Sequence, residues 1–350
     1  MFDKLFSRFS NDIGIDLGTA NTLIYVKGHG IIINEPSVVA INTRTEQILA
    51  VGNDAKEMLG KTPPHIVTSR PLTGGIISDF EATEKMLGYF LDKVNQGTFN
   101  FMSRPRVVVG APIDLTEVER KAVSDAVLNA GASKVWIVEE PMAAAIGSRM
   151  PIQEPVGNFI VDIGGGTTEI AIISLGGIVK SKSMKIAGDE FNYNISQYAR
   201  EVFNLLVGER QAEEIKIRIG SAVEMPEKMV YPMRGRDMVT GLPKEVMISD
   251  SEVREAISRS LRAIVDNIRG TLEITPPELI ADIHERGILL SGGGALLRGI
   301  DQLIMRAAEI PVRIADDPLT AVVRGTSLLL DNEPLLHEVA VYPDRQDRKS

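Results

Sequence analysis

One phrase occurs twice in the chain, and it restricts the fold more than any other feature. Residues 12–26 read DIGIDLGTANTLIYV and residues 159–173 read FIVDIGGGTTEIAII. Aligning Asp16 with Asp162 lays Ile15-Asp16-Leu17-Gly18-Thr19 over Val161-Asp162-Ile163-Gly164-Gly165. Each copy is an apolar strand that ends on Asp, turns on Gly and resumes as an apolar run. Such a carboxylate lies beside free backbone N–H groups that can cradle phosphate oxygens. The carboxylate itself can hold Mg2+, directly or through water. Taken singly, Asp-x-Gly is only a good hairpin turn. Two in parallel contexts point to an internal duplication, with two similar domains facing each other and a nucleotide's phosphates clamped between their hairpins.

The rest of the chain alternates strand and helix, which argues an α/β fold. IGID, TLIYV, GIIINE and SVVAI read as antiparallel strands with hairpins at Gly18 and Gly28-His29-Gly30. A helix is expected over Asn53–Leu59, and Thr62-Pro63-Pro64 breaks the chain. Residues 81–95 place Met86, Leu87, Phe90, Leu91 and Val94 on one helical face. RVVVGAP is a buried strand. The next helix has Thr116 as N-cap and Glu119 three residues on, a capping-box spacing. Trp136-Ile137-Val138 is a strand and Pro141–Arg149 a helix.

The second half repeats the plan. Hairpin-linked strands lead to helices over Gly188–Leu206 and Glu209–Ile219. A strand-rich insert follows over 226–248, with turns expected at Arg234-Gly235-Arg236 and Gly241-Leu242-Pro243. Asp250–Thr271 reads as a helix capped by Ser249 or Asp250, and GILLSGGGALL as strand, glycine turn and helix start. The halves should meet near 148–157, where Pro151, Pro155 and Gly157 cluster. The polar tail after Asp331 is expected to be loose.

Composition removes several classes of function. A net charge of −9 disfavours a general nucleic-acid binder, which needs a Lys/Arg excess. With no Cys there are no disulfides, Cys-ligated metals or thiol catalysis, and four scattered His make a His-rich metal site improbable. No stretch reaches the roughly 18–20 apolar residues needed to span a bilayer. No long apolar h-region marks a secretory signal, so a cytoplasmic protein is expected.

A third glycine cluster, Ser291-Gly292-Gly293-Gly294-Ala295, follows the apolar Leu289-Leu290. Three consecutive Gly cost backbone entropy that an ordinary helix-entry turn need not incur, but they let backbone approach a flat ligand such as a nucleoside. Neither GxxxxGK[ST] nor a well-placed GxGxxG is present, which disfavours the other common nucleotide folds.

In order and spacing, NDIGIDLGTANTLIYVKGHGIIINEPSVVAI, VVVGAP, EEPMAAAIG, VDIGGGTTEIAIISLGGIV and LSGGGALLRG resemble the actin, seventy-kilodalton heat-shock chaperone and sugar-kinase superfamily of ATPases. Within it they resemble the MreB family of bacterial actins over nearly the whole chain. The resemblance implies an actin-like α/β fold of two duplicated domains, with mixed sheets flanked by helices around a nucleotide cleft. Domain I would take residues 1–150, with 315–347 packing back and a small subdomain at about 33–66. Domain II would take 151–314, with a small subdomain at about 182–247. The cofactors implied are ATP and Mg2+.

The resemblance also implies residue roles. Asp16 and Asp162 would organise Mg2+ through water. Gly18, Thr19, Ala20 and Asn21 would form the first phosphate hairpin, and Gly164, Gly165, Gly166 and Thr167 the second. Glu140, directly before Pro141, would orient the attacking water, with Asp16, Asp162 and Thr167 beside it in catalysis. Read without the other motifs, Glu139-Glu140 is an acidic helix N-terminus favoured by the macrodipole. Glu213 and Lys216, three apart on one helical face, would embrace the ribose and adenine, although alone they read as a solvated ion pair. Gly292, Gly293, Gly294 and Ala295 would hold the nucleoside end. One departure stands out: actin follows its first hairpin with a phosphate-contacting lysine, and here that place is apolar, near Leu23.

At the start of the chain, Phe2, Leu5, Phe6 and Phe9 gather on one face of a helix with Lys4, Ser7 and Arg8 away from it, a pattern suited to a membrane interface. Docking on the protein's own core would use the same pattern. Phe99, Phe101 and Met102 form a second apolar cluster in an expected loop. Weak anchors on each subunit become strong when subunits join. The resemblance implies filaments built head-to-tail and paired antiparallel, located at the inner face of the cytoplasmic membrane. There they would work with cell-wall elongation proteins and a membrane adaptor to maintain rod shape, with no nucleic acid involved. The alternative is a small-molecule kinase of the same fold, but no spare Asp–Gly stretch asks for the acceptor-side role. The length leaves no room for a chaperone's substrate domain.

Overall fold

The computed structural model describes residues 12–97 and 104–343. The chain forms two compact units. The first runs to residue 155 and takes in 173–178 and the described residues from 319 on; the second holds 156–172 and 179–318.

In the first unit, β1 (Ile13–Leu17), β2 (Asn21–Val26) and β3 (Gly30–Pro36) form an antiparallel meander. The chain then leaves for a small sheet of β4 (Val39–Asn42), β5 (Gln47–Val51) and β6 (Ile66–Ser69), with α1 (Asn53–Met58) against it. A two-stranded ribbon, β7 (Leu72–Thr73) and β8 (Ile76–Ile77), precedes α2 (Phe80–Gly97). Next come β9 (Arg106–Ala111), α3 (Glu117–Asn129), β10 (Lys134–Glu139) and α4 (Glu140–Gly147). The large sheet has the order β10-β9-β1-β2-β3, with β10, β9 and β1 parallel. Val107, Val108 and Val109 are all fully buried, as in a parallel strand covered on both faces. The predicted stripe Met86, Leu87, Phe90, Leu91 and Val94 of α2 lies in the core, and Thr116 and Glu119 make the expected capping box.

The second unit contains β11 (Asn158–Ile163), most of β12 (Thr168–Ser174) and of β13 (Gly177–Met184), α5 (Gly188–Phe203), β14 (Leu205–Leu206) and α6 (Glu209–Ile219). It continues with β15 (Val230–Asp237), β16 (Pro243–Ser249), α7 (Asp250–Glu273), α8 (Pro277–Arg286) and β17 (Ile288–Ser291). A 3-10 turn at Gly293–Leu296, α9 (Ile300–Ala308) and β18 (Val312–Ile314) complete it. Helices α10 (Ala321–Asp331) and α11 (Glu333–Val339) return to the first unit. The large sheet here has the order β13-β12-β11-β17-β18, with β11, β17 and β18 parallel. Position by position this is the strand order of the first sheet: the duplicated phrase sits on duplicated topology. Ser249 caps α7 through a capping box with Glu252.

Four sequence expectations need correction. Arg234-Gly235-Arg236 is no turn but lies inside β15, with Gly235 opposite Lys244. A Cβ on Gly235 would sit 2.4 Å from the Leu206 carbonyl oxygen, so this glycine admits β14. The turn at Gly241, with φ +74°, stands. Helix α5 stops at Phe203 rather than Leu206, because Asn204 takes a left-handed conformation and the two leucines become β14. The Gly292–Gly294 run opens a 3-10 turn, and the helix begins only at Ile300. The tail after Asp331 is packed through residue 343: Asn332 caps α11, Leu336 and Val339 are buried, and Tyr342 pairs with Ile137 on β10.

Candidate functional site

In the first unit the parallel strands end along one edge of the sheet. Asp16 on β1 pairs with Gly110 on β9, which pairs with Val138 on β10. One step later β10 gives way to α4, whose first residue is Glu140, followed by Pro141. Asp16 is half-buried and Glu140 is buried. A Cβ placed on Gly110 would lie 2.6 Å from Val322 Cγ1, so the glycine makes room for α10 against β9, with the Glu140 Cγ at an ordinary contact distance of 3.8 Å. Carboxyl ends of parallel strands are where α/β sheets bind ligands. Glu139 has its pKa raised by burial, with Asp114 adding to the rise and Arg120 opposing it.

The first hairpin is tightly built. A Cβ on Gly18 would meet the Asn21 carbonyl oxygen at 2.7 Å. The Ser37 hydroxyl donates to the Gly18 carbonyl at 2.6 Å and lies 2.9 Å from the Thr22 hydroxyl. The Gly75 N–H donates to the Thr19 hydroxyl at 2.9 Å. Ala20 is half-buried, Asn21 opens β2, and Leu23 is buried opposite Asp16.

In the second unit Asp162 is the penultimate residue of β11, opposite Ser291 at the end of β17. Ser291 Oγ donates to Asp162 Oδ1 at 2.5 Å. Burial pushes the Asp162 carboxyl up to about 6, and the Ser291 hydrogen bond opposes that rise. The hairpin closes where the Gly164 N–H donates to the Thr167 carbonyl at 2.9 Å, and Thr167 is buried. A Cβ on Gly164 would lie 3.2 Å from that same carbonyl. Gly18 and Gly164 therefore serve equivalent turns, each facing the carbonyl three residues ahead. The Gly165 carbonyl accepts from the Asp189 N–H.

The third glycine cluster has a packing role of its own. Gly292 has φ +77°, and a Cβ there would lie 2.4 Å from the Ile163 carbonyl oxygen. A Cβ on Gly294 would lie 2.2 Å from Ile163 Cγ2. Both glycines let this turn lie directly over the end of β11, and Ala295 points into the core. Gly293 stands between them at the head of the 3-10 turn. Glu213 and Lys216 lie one turn apart on α6, both half-buried, and Lys216 Nζ donates to the Gly188 carbonyl at 2.9 Å.

Sequence reading did not assign roles to Ser37, Gly75, Gly110, Ser291 or the fully buried Glu169 on β12. Ser291 carried a usable signal, since it precedes a glycine turn at a strand end as Asp162 does; the others depend on tertiary pairing. The membrane candidates Phe2, Leu5, Phe6, Phe9, Phe99, Phe101 and Met102 lie outside the described residues. Among the described residues no helix is long and apolar enough to cross a membrane.

The residues present fit Mg2+ and a nucleotide. Among the described residues no three His, Asp or Glu side chains gather into a metal cage. Mg2+ bound with a nucleotide needs none, because one or two carboxylates and the phosphates hold it. A buried carboxylate with a raised pKa, such as Asp162, is a group that a cation would stabilise as the anion.

Comparison with known proteins agrees with this geometry. The Mbl cell shape-determining protein of Bacillus subtilis is 49% identical over 93% of this chain and 97% of its own length. The MreB cell shape-determining protein of Escherichia coli K12 is 49% identical over 95% and 96%. The crystal structure of Spiroplasma citri MreB5 bound to ADP superposes with a TM-score of 0.88 at 39% identity, covering 94% of this chain and 98% of that one. The AMPPNP-bound MreB5 structure gives the same score at 40% identity, over 93% and 97%. A MamK double helical filament, 21% identical with a TM-score of 0.77 over 92% and 99%, shares the fold. The expected actin-like α/β fold is thereby borne out. The MreB/Mbl protein family model matches residues 10–338, and the chain belongs to the MreB/Mbl family.

Proposed function

We propose that this chain binds ATP with Mg2+, hydrolyses it to ADP and phosphate, and assembles with copies of itself into filaments. The filaments lie at the inner face of the cytoplasmic membrane and organise cell-wall elongation, with a membrane adaptor and elongation proteins as partners, to maintain rod shape. The observation that carries the reading is the paired Asp–Gly hairpin. It occurs at the carboxyl edge of two sheets with the same strand order, in a family whose relatives are named cell shape-determining proteins and whose solved MreB5 member was captured with ADP and with AMPPNP.

In this reading the two units are actin-like domains I and II, and each carries a hairpin that binds nucleotide phosphate. Backbone N–H groups of Gly18–Asn21 and Gly164–Thr167 bind the phosphates. Asp16 and Asp162 would hold Mg2+, through water, and the ion would neutralise charge developing on the phosphate oxygens. Glu140 accepts a hydrogen bond from the water that attacks the γ-phosphorus, and ADP leaves with the bridging oxygen. Pro141 fixes Glu140 at the first turn of α4. Glu213 and Lys216 lie on the nucleoside side, with the Gly292–Ala295 turn.

Replacing Glu140 with Ala should slow hydrolysis at least about tenfold while ATP affinity stays nearly unchanged. Wild-type turnover in that variant would remove Glu140 from the chemistry. Electron microscopy on an anionic lipid monolayer should show filaments with ATP–Mg2+ and none without nucleotide. Deleting residues 1–9 should weaken cosedimentation with anionic liposomes and spare ATP binding; unchanged cosedimentation would place attachment elsewhere.

A further inference from the structure

The second hairpin is held from behind by the start of α5. The Gly188 N–H donates to the Gly164 carbonyl at 3.2 Å, and the Asp189 N–H donates to the Gly165 carbonyl at 2.8 Å. The first N–H groups of this 16-residue helix are thus spent on the hairpin. Behind them stands α6, from which Lys216 Nζ donates to the Gly188 carbonyl at 2.9 Å. All three groups close around one glycine. A Cβ on Gly188 would lie 3.3 Å from the Gly164 oxygen, 3.3 Å from Lys216 Nζ and 3.5 Å from Gly165 Cα.

The Gly188 carbonyl and the Asp189 N–H belong to the same peptide unit. An ammonium on the carbonyl side polarises that amide and strengthens its N–H as a donor. The charge-assisted bond from Lys216 is the stronger link, and the bond to the Gly165 carbonyl is the one it reinforces. A hairpin fixed in this way before a ligand arrives loses less conformational freedom on binding.

We propose that Lys216 is a positioning residue for the second hairpin: its ammonium grips the Gly188–Asp189 peptide, and the N–H of that peptide holds the Gly165 carbonyl in the conformation that receives phosphate. The inference rests on the reading that this hairpin binds phosphate, and it gives Lys216 a task apart from any contact with the nucleoside. It ties α6 to the phosphate loop through a single peptide.

The test compares wild type with Lys216→Met and Lys216→Arg in the full chain. Amide hydrogen exchange is measured without nucleotide, and the affinities of ATP and of adenosine are measured separately. In Lys216→Met the Asp189 amide should exchange about tenfold faster while the β11 amides keep their rates, since one charge-assisted bond is lost. ATP affinity should fall about tenfold, by more than adenosine affinity does, and Lys216→Arg should recover most of the loss. Unchanged exchange at the Asp189 amide would overturn the proposal. Equal losses for ATP and adenosine would also overturn it, because the lysine would then act through the nucleoside alone. A wild-type chain that bound no ATP would overturn the phosphate reading instead, and the exchange result would still decide whether Lys216 clamps the hairpin.

Discussion

The hairpin after β1 and the hairpin after β11 make the same turn at the same place in matching sheets, yet they are supported differently. The first leaves Asp16 half-buried and secures its turn with hydroxyls and a backbone amide brought from distant chain: Ser37 on the Gly18 carbonyl and Gly75 on the Thr19 hydroxyl. The second buries Asp162, gives it one hydroxyl partner in Ser291, and braces the turn with the first amides of α5. Duplication preserved the strand–turn–strand unit, where local chemistry sets the geometry. The supports diverged because each is drawn from whatever element packs nearby.

The largest contrast should appear at Asp162. Its carboxyl is raised from 3.8 to about 6 by burial, with the Ser291 bond opposing. Between those values the native state keeps a proton that the unfolded chain has lost. The stability tied to that proton is therefore present below the unfolded pKa and is lost as pH rises through about 6, a loss of roughly 3 kcal/mol in total. Asp162→Asn has no such loss. Urea denaturation without nucleotide or Mg2+ should show the variant gaining on wild type from pH 4 to pH 7; a constant difference would mean that the carboxylate is not desolvated as described.

The turns themselves come next. Gly18→Ala forces a Cβ to within 2.7 Å of a backbone oxygen and should cost about 2 kcal/mol, whereas Gly164→Ala starts from 3.2 Å. Equal costs at the two sites would erase the distinction between the turns. Ser37→Ala removes the hydroxyl from the Gly18 carbonyl and should cost about 1 kcal/mol by chemical denaturation. Gly164→Ala should be the mildest, below about 1 kcal/mol, because a neighbour need shift only a few tenths of an ångström.

These contrasts also mark what sequence could disclose. The hairpins, the Thr116–Glu119 capping box and the apolar stripe of α2 were legible because each depends on residues within a turn or two of one another, and Ser249 is one of the two caps expected for α7. Gly235 was misread because its glycine answers to β14, a partner from another part of the chain. The packed tail was missed because the short apolar runs Leu335-Leu336 and Val339-Ala340-Val341 sit in an otherwise polar stretch, and the sheet edge they accompany is not visible locally. At the site, Asp16, Asp162 and Glu140 announce themselves through the turns and the proline beside them. Ser291 on Asp162 and Lys216 on Gly188 require knowing that β17 pairs with β11 and that α6 packs on α5.

The central claim is that each of the two hairpins binds nucleotide phosphate. Amide hydrogen exchange across a titration with ATP–Mg2+ tests it most directly, followed at residues 16–21 and 162–167 in the same samples. The account predicts that both segments gain protection together, with one midpoint in ATP concentration. Protection of one hairpin alone, or of neither while ATP binds elsewhere, would contradict it.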